Sequence, residues 1–494
     1  MKIRKLNIYI IIGCLGLSLQ ACKDFVDLEP LSDATSATAY STKAEAEAAL
    51  TGVYETFQSS EYYIWDNVVL GDIRSDNFYA GGDDAQIFAI DKLEITPSNS
   101  RLFNSWSQIY NGISKANTVL QKVPLIQDAQ LDVNNRRQQI LGEASFLRAY
   151  HYYNLVTLWG GVPLVTEPVS STSPSETNKP RATETEVYNQ IITDLDFALS
   201  RLPDSYGDAG IDKARATRGA VNALLAKVYA QKPEKDYTKV LEYSNAVINS
   251  AAGYQLLNTF SQLFDGAHYN NAESILEVQF TGGNEANWGP QMLLPPSISG
   301  DSWRKFATPS KDLVQAFDSE GDVLRKNASI LFENAPWSDE YWSLNVGGSI
   351  PFAYKWKSAN GWASTNRQYV LRLADIILLK AEALNELNRP AEAKDVLDLI
   401  RLRAGIARTT ATTQAPLRDA ILKERRLELV QEGQRWNDLV RYGKMMEVMT
   451  NLNEIDLRNN QRVNYNAGQN DRLLPIPQQE LNRNGNLEQN PGYN

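Results

Sequence analysis

The stretch Glu424–Gly443, ERRLELVQEGQRWNDLVRYG, sets Glu424, Glu428, Glu432 and Asp438 among Arg425, Arg426, Arg435 and Arg441, around a thin apolar seam of Leu427, Val430, Trp436, Leu439 and Val440. A solvated helix surface has no need of so many opposite charges at such close spacing. Glu428 and Glu432 stand one helical turn apart, about 6 Å at Cβ, and paired carboxylates are what a glycoside hydrolase uses. The general acid of such an enzyme needs apolar or anionic surroundings to raise its pKa. Here arginines crowd the acids and lower it, so the segment reads as ionised structural pairs seated on a scaffold. Loss of one buried partner would cost about 3–5 kcal/mol.

Just upstream, LADIILLKAEALNEL (373–387) begins the clearest helix pair in the chain, Leu371–Leu387 followed by Ala391–Ala404. Ala374, Ala381, Ala393 and Ala404 allow close approach, with Asn388 and Pro390 in the turn. Further upstream, Thr217, Ala220, Val221, Leu224, Leu225 and Val228 mark one wide helical face, with a partner from Tyr237 to about Ser250. Other helical patterns run over Lys43–Phe57, from Trp106 to Leu120, from Ile140 to Leu155 and from Val187 to Leu202. With GEASFLRAYHYYNLVTLWGGVPL (142–164) and LLPIPQQELNRNGNLEQNPGY (473–493), the chain resembles the SusD/RagB family of outer-membrane nutrient-binding lipoproteins. The resemblance implies a mainly α protein: a tetratricopeptide-like α-α superhelix of about four helix pairs, with large loop-rich insertions and a few short strands. The scaffold is expected at about 43–58, 101–255 and 369–450, within a single domain spanning 43–494.

The amino terminus has the layout of a secretory signal, with Lys2, Arg4 and Lys5 ahead of the apolar run Leu6–Leu19. The run is too short to span a bilayer comfortably. It closes on Leu19-Gln20-Ala21-Cys22, which resembles a lipobox, so 1–21 reads as a lipoprotein signal peptide and Cys22 as the acylated first residue of the mature chain. Cys14 lies in the segment to be removed, which excludes disulfides and cysteine metal sites. Acylation by more than one chain, palmitate among them, gives stable anchoring. Residues 22–42, polar and carrying Pro30, read as an extended tether. Removing Lys2, Arg4 and Lys5 takes the formal net charge from −10 to −13, which argues against nucleic acid as a partner.

Two regions interrupt the scaffold. In about 60–100, Tyr62, Tyr63, Trp65, Phe78 and Tyr79 alternate with Asp72, Arg74, Asp76 and Asn77 and with the turn Gly81-Gly82-Asp83-Asp84, a composition that reads as mostly loop. In about 280–365, after the alternating strand pattern of Glu273–Phe280, six of the ten tryptophans fall between Trp288 and Trp362. The many prolines of that region leave some of these indoles without a helical core to fill. An exposed indole or phenol offers a flat apolar face and a polar edge, which match a pyranose ring. The resemblance places a glycan site on loops of these same two regions without fixing its residues. The candidate ligand residues are Trp65, Asp72, Arg74, Asp76, Tyr79, Trp288, Trp303, Trp337 and Trp342.

His151 and His268 fall in no triad or metal spacing, and no phosphate loop occurs. Asp72, Asp76, Asp83 and Asp84 could approach calcium, but no EF-hand spacing supports it, and no cofactor is expected. The combined expectation is a non-catalytic, lipid-anchored glycan-binding protein at the cell surface of the outer membrane. By resemblance it would pass oligosaccharides to a SusC-like TonB-dependent transporter. The alternatives are a peptide-binding RagB-like member of the family and a surface glycoside hydrolase.

Overall fold

A computed structural model describes residues 40–493; Cys22, the signal peptide and the tether up to residue 39 lie outside the described residues. The described residues are 54% helix and 8% strand. Helix α1 (Lys43–Tyr54) is opened by a reciprocal cap between Thr42 and Glu45, the arrangement that satisfies two free N–H groups at once. A short segment then leads through β1 (Phe78–Ala80) and α2 (Ala85–Asp91) to the long helices α3 (Ser100–Lys122) and α4 (Arg136–Trp159). Nearly every residue of α4 from Ile140 on is buried, the polar Glu143, Arg148 and His151 included. It packs between α3 and α5 (Glu184–Leu199), and α6 (Arg218–Gln231) pairs with α7 (Tyr237–Ile248).

Strands β2 (Ser274–Val278) and β3 (Ala307–Pro309), helices α8 (Lys311–Glu320) and α9 (Val323–Ser329), and strands β4 (Ile330–Asn334), β5 (Ser349–Ala353) and β6 (Gln368–Arg372) make up the middle region. The scaffold resumes with α10 (Leu373–Glu386) and α11 (Pro390–Arg403), joined by a turn in which Asn388 takes φ +59° and Pro390 occupies the first helical turn. Then follow α12 (Gln414–Leu429), α13 (Arg435–Arg441), α14 (Met445–Thr450) and the small hairpin β7 (Ile455–Asp456) and β8 (Gln461–Arg462). Among the described residues the strands form four two-stranded antiparallel ladders, β1–β3, β2–β6, β4–β5 and β7–β8. No described helix is long and apolar enough to cross a membrane.

Two expectations are corrected. The strand in 273–280 exists, but it is buried along its whole length rather than on one face. Glu277, on the polar side of the alternation, is buried and accepts an ion pair from Arg367 at 3.1 Å. The stretch after Tyr62 is not mostly loop: Ser60–Ile64, Asp66–Val68 and Val69–Ile73 form consecutive helical turns, with Ile64, Val68, Val69 and Ile73 fully buried. Its polar residues, which suggested solvent, find their partners inside the protein.

Those partners come largely from 424–443. Arg435 grips both oxygens of Asp76 at 2.7 and 2.8 Å, and Arg426 approaches the same carboxylate at 3.0 Å. Glu428 meets Arg372 at 2.6 Å, Arg403 at 2.5 Å and Arg325 at 3.1 Å. Glu432 joins Arg372 to Lys355, and Arg425 joins Asp438 to Asp375. Burial alone would raise Glu428 and Glu432, but their cationic partners outweigh it and hold both below the usual carboxylate range. Glu424 departs from the expectation: burial raises its pKa despite Arg325 and Arg401. The backbones interlock as well. A Cβ on Gly71 would stand 2.3 Å from the carbonyl oxygen of Gly433, which itself takes φ +72°, so both positions require glycine.

Candidate functional site

The nine candidate ligand residues divide into three groups. Trp65, Asp72, Arg74, Asp76 and Tyr79 are each 1% exposed or less and are removed from any surface. Asp72 accepts from Asn77 at 2.8 Å and from the backbone N–H groups of Gln431 and Gly433 at 3.2 and 2.7 Å; burial nonetheless pushes it up to about 6. Asp76 goes the other way, since Arg426 and Arg435 overcome its burial and hold it at about 2. Arg74 lies 4.1 Å over the Trp436 ring and donates to the carbonyl oxygens of Asp471 and Leu473 at 2.6 and 3.3 Å; burial lowers its pKa to about 10. The Tyr79 hydroxyl donates to Asp339 at 2.7 Å. These side chains weld the 60–80 segment to the charged stretch. Of the acids weighed for calcium, Asp72 and Asp76 are taken up in these contacts, and Asp84 serves as the cap of α2 and as a partner of Arg101. Among the described residues no cluster of three or more acidic, His or Cys side chains is placed to hold a metal.

Trp337 and Trp342 form a second, half-buried group. Trp337 packs edge-on to Phe352, and Trp342 edge-on to Phe332 and Tyr341, with its indole N–H donating to the Pro309 carbonyl at 3.2 Å. His151, as read, is a packing residue: it is fully buried with Nδ1 at 3.0 Å from the Tyr62 hydroxyl, and burial pushes its pKa down to about 3. His268 is exposed and paired to Asp265.

Trp288 and Trp303 belong to a third group, and it is open. An aromatic row runs from buried Trp65 to half-buried Trp288 (6.4 Å between ring centroids), on to Trp362 (6.5 Å) and from there to Trp303 (6.3 Å, planes 29° apart). Trp362 is 48% exposed. It sits at the end of a turn in which Asn360, Gly361 and Trp362 all take left-handed φ of +46°, +57° and +74°. Such a backbone is costly for a bulky residue and recurs at ligand sites. Trp303 is propped from behind by the Lys305 ammonium, 3.8 Å from the ring centroid. Lys305 is anchored in turn to Asp301, to the Ser299 hydroxyl at 2.8 Å and to the Gln291 carbonyl at 3.1 Å.

Trp303 and Trp362 line an open cleft of about 420 Å³ together with Met292, Arg304, Phe306, Gly82 and Asp83. Both interrupting regions therefore meet here, and the β1–β3 ladder is what joins them: Ala80 pairs with Ala307, and the Gly81 N–H reaches the Phe306 carbonyl at 3.0 Å. Gly82 takes φ +66°, and a Cβ there would stand 2.8 Å from the Phe306 ring, so a side chain would push the wall apart. Asp83 is the sole carboxylate among the lining residues, so the cleft does not present the acid pair that glycoside hydrolysis uses. A larger cleft of about 550 Å³ between α1 and β2 has mixed walls, with Leu276, Val278 and Val370 beside Thr51, Gln58, Asn284 and Glu285. Its aromatic residues are committed elsewhere, Phe57 being buried and the Tyr54 hydroxyl donating to Glu143.

Sequence reasoning missed Trp362, Phe306, Met292, Arg304 and Gly82 as lining residues, and weighed Asp83 only for calcium. The sequence did carry a signal for some of them. Asn360-Gly361 is a left-handed turn pair set directly before a tryptophan, and Gly81-Gly82 precedes the acidic turn.

The sequence profile of the SusD family matches residues 300–493, and a second profile, described as starch-binding associating with outer membrane, matches 24–230. A SusD-like protein of Formosa agariphila is 27% identical over 100% of both chains. The starch-binding protein SusD of Bacteroides thetaiotaomicron is 25% identical over 84% of this chain and 83% of its own. Among solved structures, a laminarin-binding SusD-like protein superposes with a TM-score of 0.76 at 30% identity, covering 92% of this chain and 100% of that one.

Proposed function

The chain belongs to the SusD family, and from that premise we propose that it is a non-catalytic glycan-binding protein that captures oligosaccharides in the Trp303–Trp362 cleft. The observation that carries this reading is the exposed indole of Trp362, presented on a left-handed turn and ranged alongside Trp303. Tilted apolar faces along an open groove suit successive pyranose rings, while Asp83 and Arg304 at the edges can accept from and donate to hydroxyls. Trp288 extends the row at its inner end. Two relatives carry the names of glucan binders, one of starch and one of laminarin, and a glucan is the ligand class we assign.

The rest of the proposal concerns placement. Cys22 is acylated and anchors the chain to the outer membrane, with the protein exposed at the cell surface. It serves a SusC-like TonB-dependent transporter, into which the captured glycan is delivered. The formal charge of −10 and the absence of a basic stripe in the sequence leave nucleic acid outside the partner set.

Calorimetric titration of the purified full chain with laminarin, starch and a peptide panel tests the ligand class. Binding of a glucan that is lost in Trp362→Ala supports the assignment, and binding of peptides alone overturns it. Mass spectrometry of the membrane fraction tests the anchor, since Cys22→Ser should release an unacylated chain.

A further inference from the structure

We propose that Asp91 and Glu454, two carboxyl groups set on either side of the Tyr465 hydroxyl, share one proton and act as a pH-sensitive latch. The latch holds the β7–β8 segment against the strand that leads into the aromatic cleft. Asp91, Glu454 and Tyr465 are 4%, 1% and 3% exposed. The Tyr465 oxygen stands 2.5 Å from one oxygen of Glu454 and 3.4 Å from one of Asp91, and the other Asp91 oxygen accepts the Ala80 N–H at 3.0 Å. The second oxygen of Glu454 is buried with no hydrogen-bond partner. Four carboxyl oxygens thus face two protein donors, and a hydroxyl proton serves one acceptor at a time. A carboxyl proton on the pair supplies the missing donor.

No basic side chain forms an ion pair with either acid among the described residues. On the α2 side, Lys92 is shared between Glu94 and Asp456. Arg458 of the hairpin, lying over Phe88, is bound to Asp456. From the segment before β1 comes Asp76, and from α8 Asp312; both are occupied by Arg426, and Asp76 by Arg435 as well. From the β4–β5 connection comes the phenol of Tyr341, with Lys311 over its ring. Burial raises both acids above the usual carboxylate range, helped by the charge of Asp456 beside Asp91 and of Asp91 beside Glu454.

The position of the pair gives it mechanical reach. Asp91 holds Ala80, and the next three residues lead into the cleft wall formed by Gly82 and Asp83. On the hairpin side, the Leu457 carbonyl lies 3.5 Å from the guanidinium of Arg304, which also lines the cleft. Loss of the shared proton would leave two like charges across one hydroxyl and loosen the contact between these parts. The sign follows from proton linkage. The folded chain binds more protons than the unfolded chain from about pH 4 up to the raised folded values, so stability falls as pH rises through that window and the loss is complete above it.

Glu454→Gln and Asp91→Asn each remove one ionisable group while keeping the hydrogen-bonding shape. Thermal melts of the wild-type full chain and both variants from pH 5 to 9 should show wild-type Tm falling more steeply with pH than in either variant. At pH 8.5 amide hydrogen exchange over 452–466 should be faster in the wild type than in Glu454→Gln. Two variants are used so that misfolding of one leaves the other to decide, and parallel Tm–pH curves for the folded chains overturn the latch. The coupling to ligand rests on the cleft assignment above, and laminarin titration tests it separately. Affinity that falls from pH 6 to 8.5 in the wild type but not in Glu454→Gln supports the coupling. Divergent melts without that difference keep the latch and overturn the coupling, and absence of laminarin binding at every pH counts against the cleft as a laminarin site.

Discussion

The charged seam of 424–443 and the aromatic cleft are opposite solutions to the placement of polar and apolar groups. In the seam, carboxylates and guanidiniums are removed from water and satisfy one another. Arg372 alone contacts Glu273, Glu428 and Glu432 while 2% exposed. In the cleft, large apolar faces that could have been buried are left at the surface, with Trp362 48% exposed. Exposed indole is left without its apolar gain and buried charge is costly to desolvate, so each needs a reason. The seam ties distant stretches of the chain into one body, and the cleft leaves open the surface to which we assign the ligand. Density of charge in this chain marks structure, and the unfilled aromatic surface is where we propose binding.

The sharpest way to break this contrast is to remove a carboxylate from the seam. Glu428→Ala removes the carboxylate shared by Arg325, Arg372 and Arg403 and should cost about 3–5 kcal/mol in urea unfolding; a loss below about 1 kcal/mol would mean that water or the remaining carboxylates replace it and the seam does not depend on this partner. The acid limb of stability gives a related test with the opposite sign from the Asp91–Glu454 pair. Asp76 is held at about 2 against an ordinary 3.8, so its contribution, about 2 kcal/mol, is present above about pH 4 and is lost as pH falls toward 2. Asp76→Asn should flatten the acid limb of a Tm–pH curve, and an unchanged limb would place the acid sensitivity elsewhere.

In the cleft the pattern should reverse. Trp362→Ala is expected to weaken glucan binding about tenfold, or 1.4 kcal/mol, while moving Tm little. Calorimetry and melting on one sample separate the two effects, and a large fall in Tm with unchanged affinity would turn Trp362 into a packing residue. Gly82→Ala should cost about 1–3 kcal/mol of stability from its left-handed backbone and reduce affinity as the Phe306 wall is displaced. Trp337→Ala, outside the cleft, should change affinity by less than about threefold, or 0.7 kcal/mol; a larger effect would extend the site to the Phe332–Trp342 patch.

Much of the scaffold was legible because helix formation is local. The spacing of Ala220, Leu224 and Val228 and the Asn388–Pro390 turn give their helices without reference to the rest of the chain. The identity of the two interrupting regions was legible from composition, and the β1–β3 ladder brings them together. Their interiors were not. Tyr79, Asp72 and Arg74 resemble ligand residues in type, but their partners are Asp339, Gly433 and Asp471, hundreds of positions away. Sequence distance was also misleading for the seam, which meets the 60–80 segment directly instead of standing apart from it.

By itself the sequence determined the helical scaffold, because periodicity operates over a few residues, together with the family resemblance and the structural character of the Glu424–Gly443 charges; the partners of Glu428, which are Arg325, Arg372 and Arg403, come from distant segments. Only the tertiary structure decided which aromatics remain at the surface. Whether an indole is filled over or left open depends on what the far chain places against it, and that separates Trp362 from Trp65 although they belong to the same row.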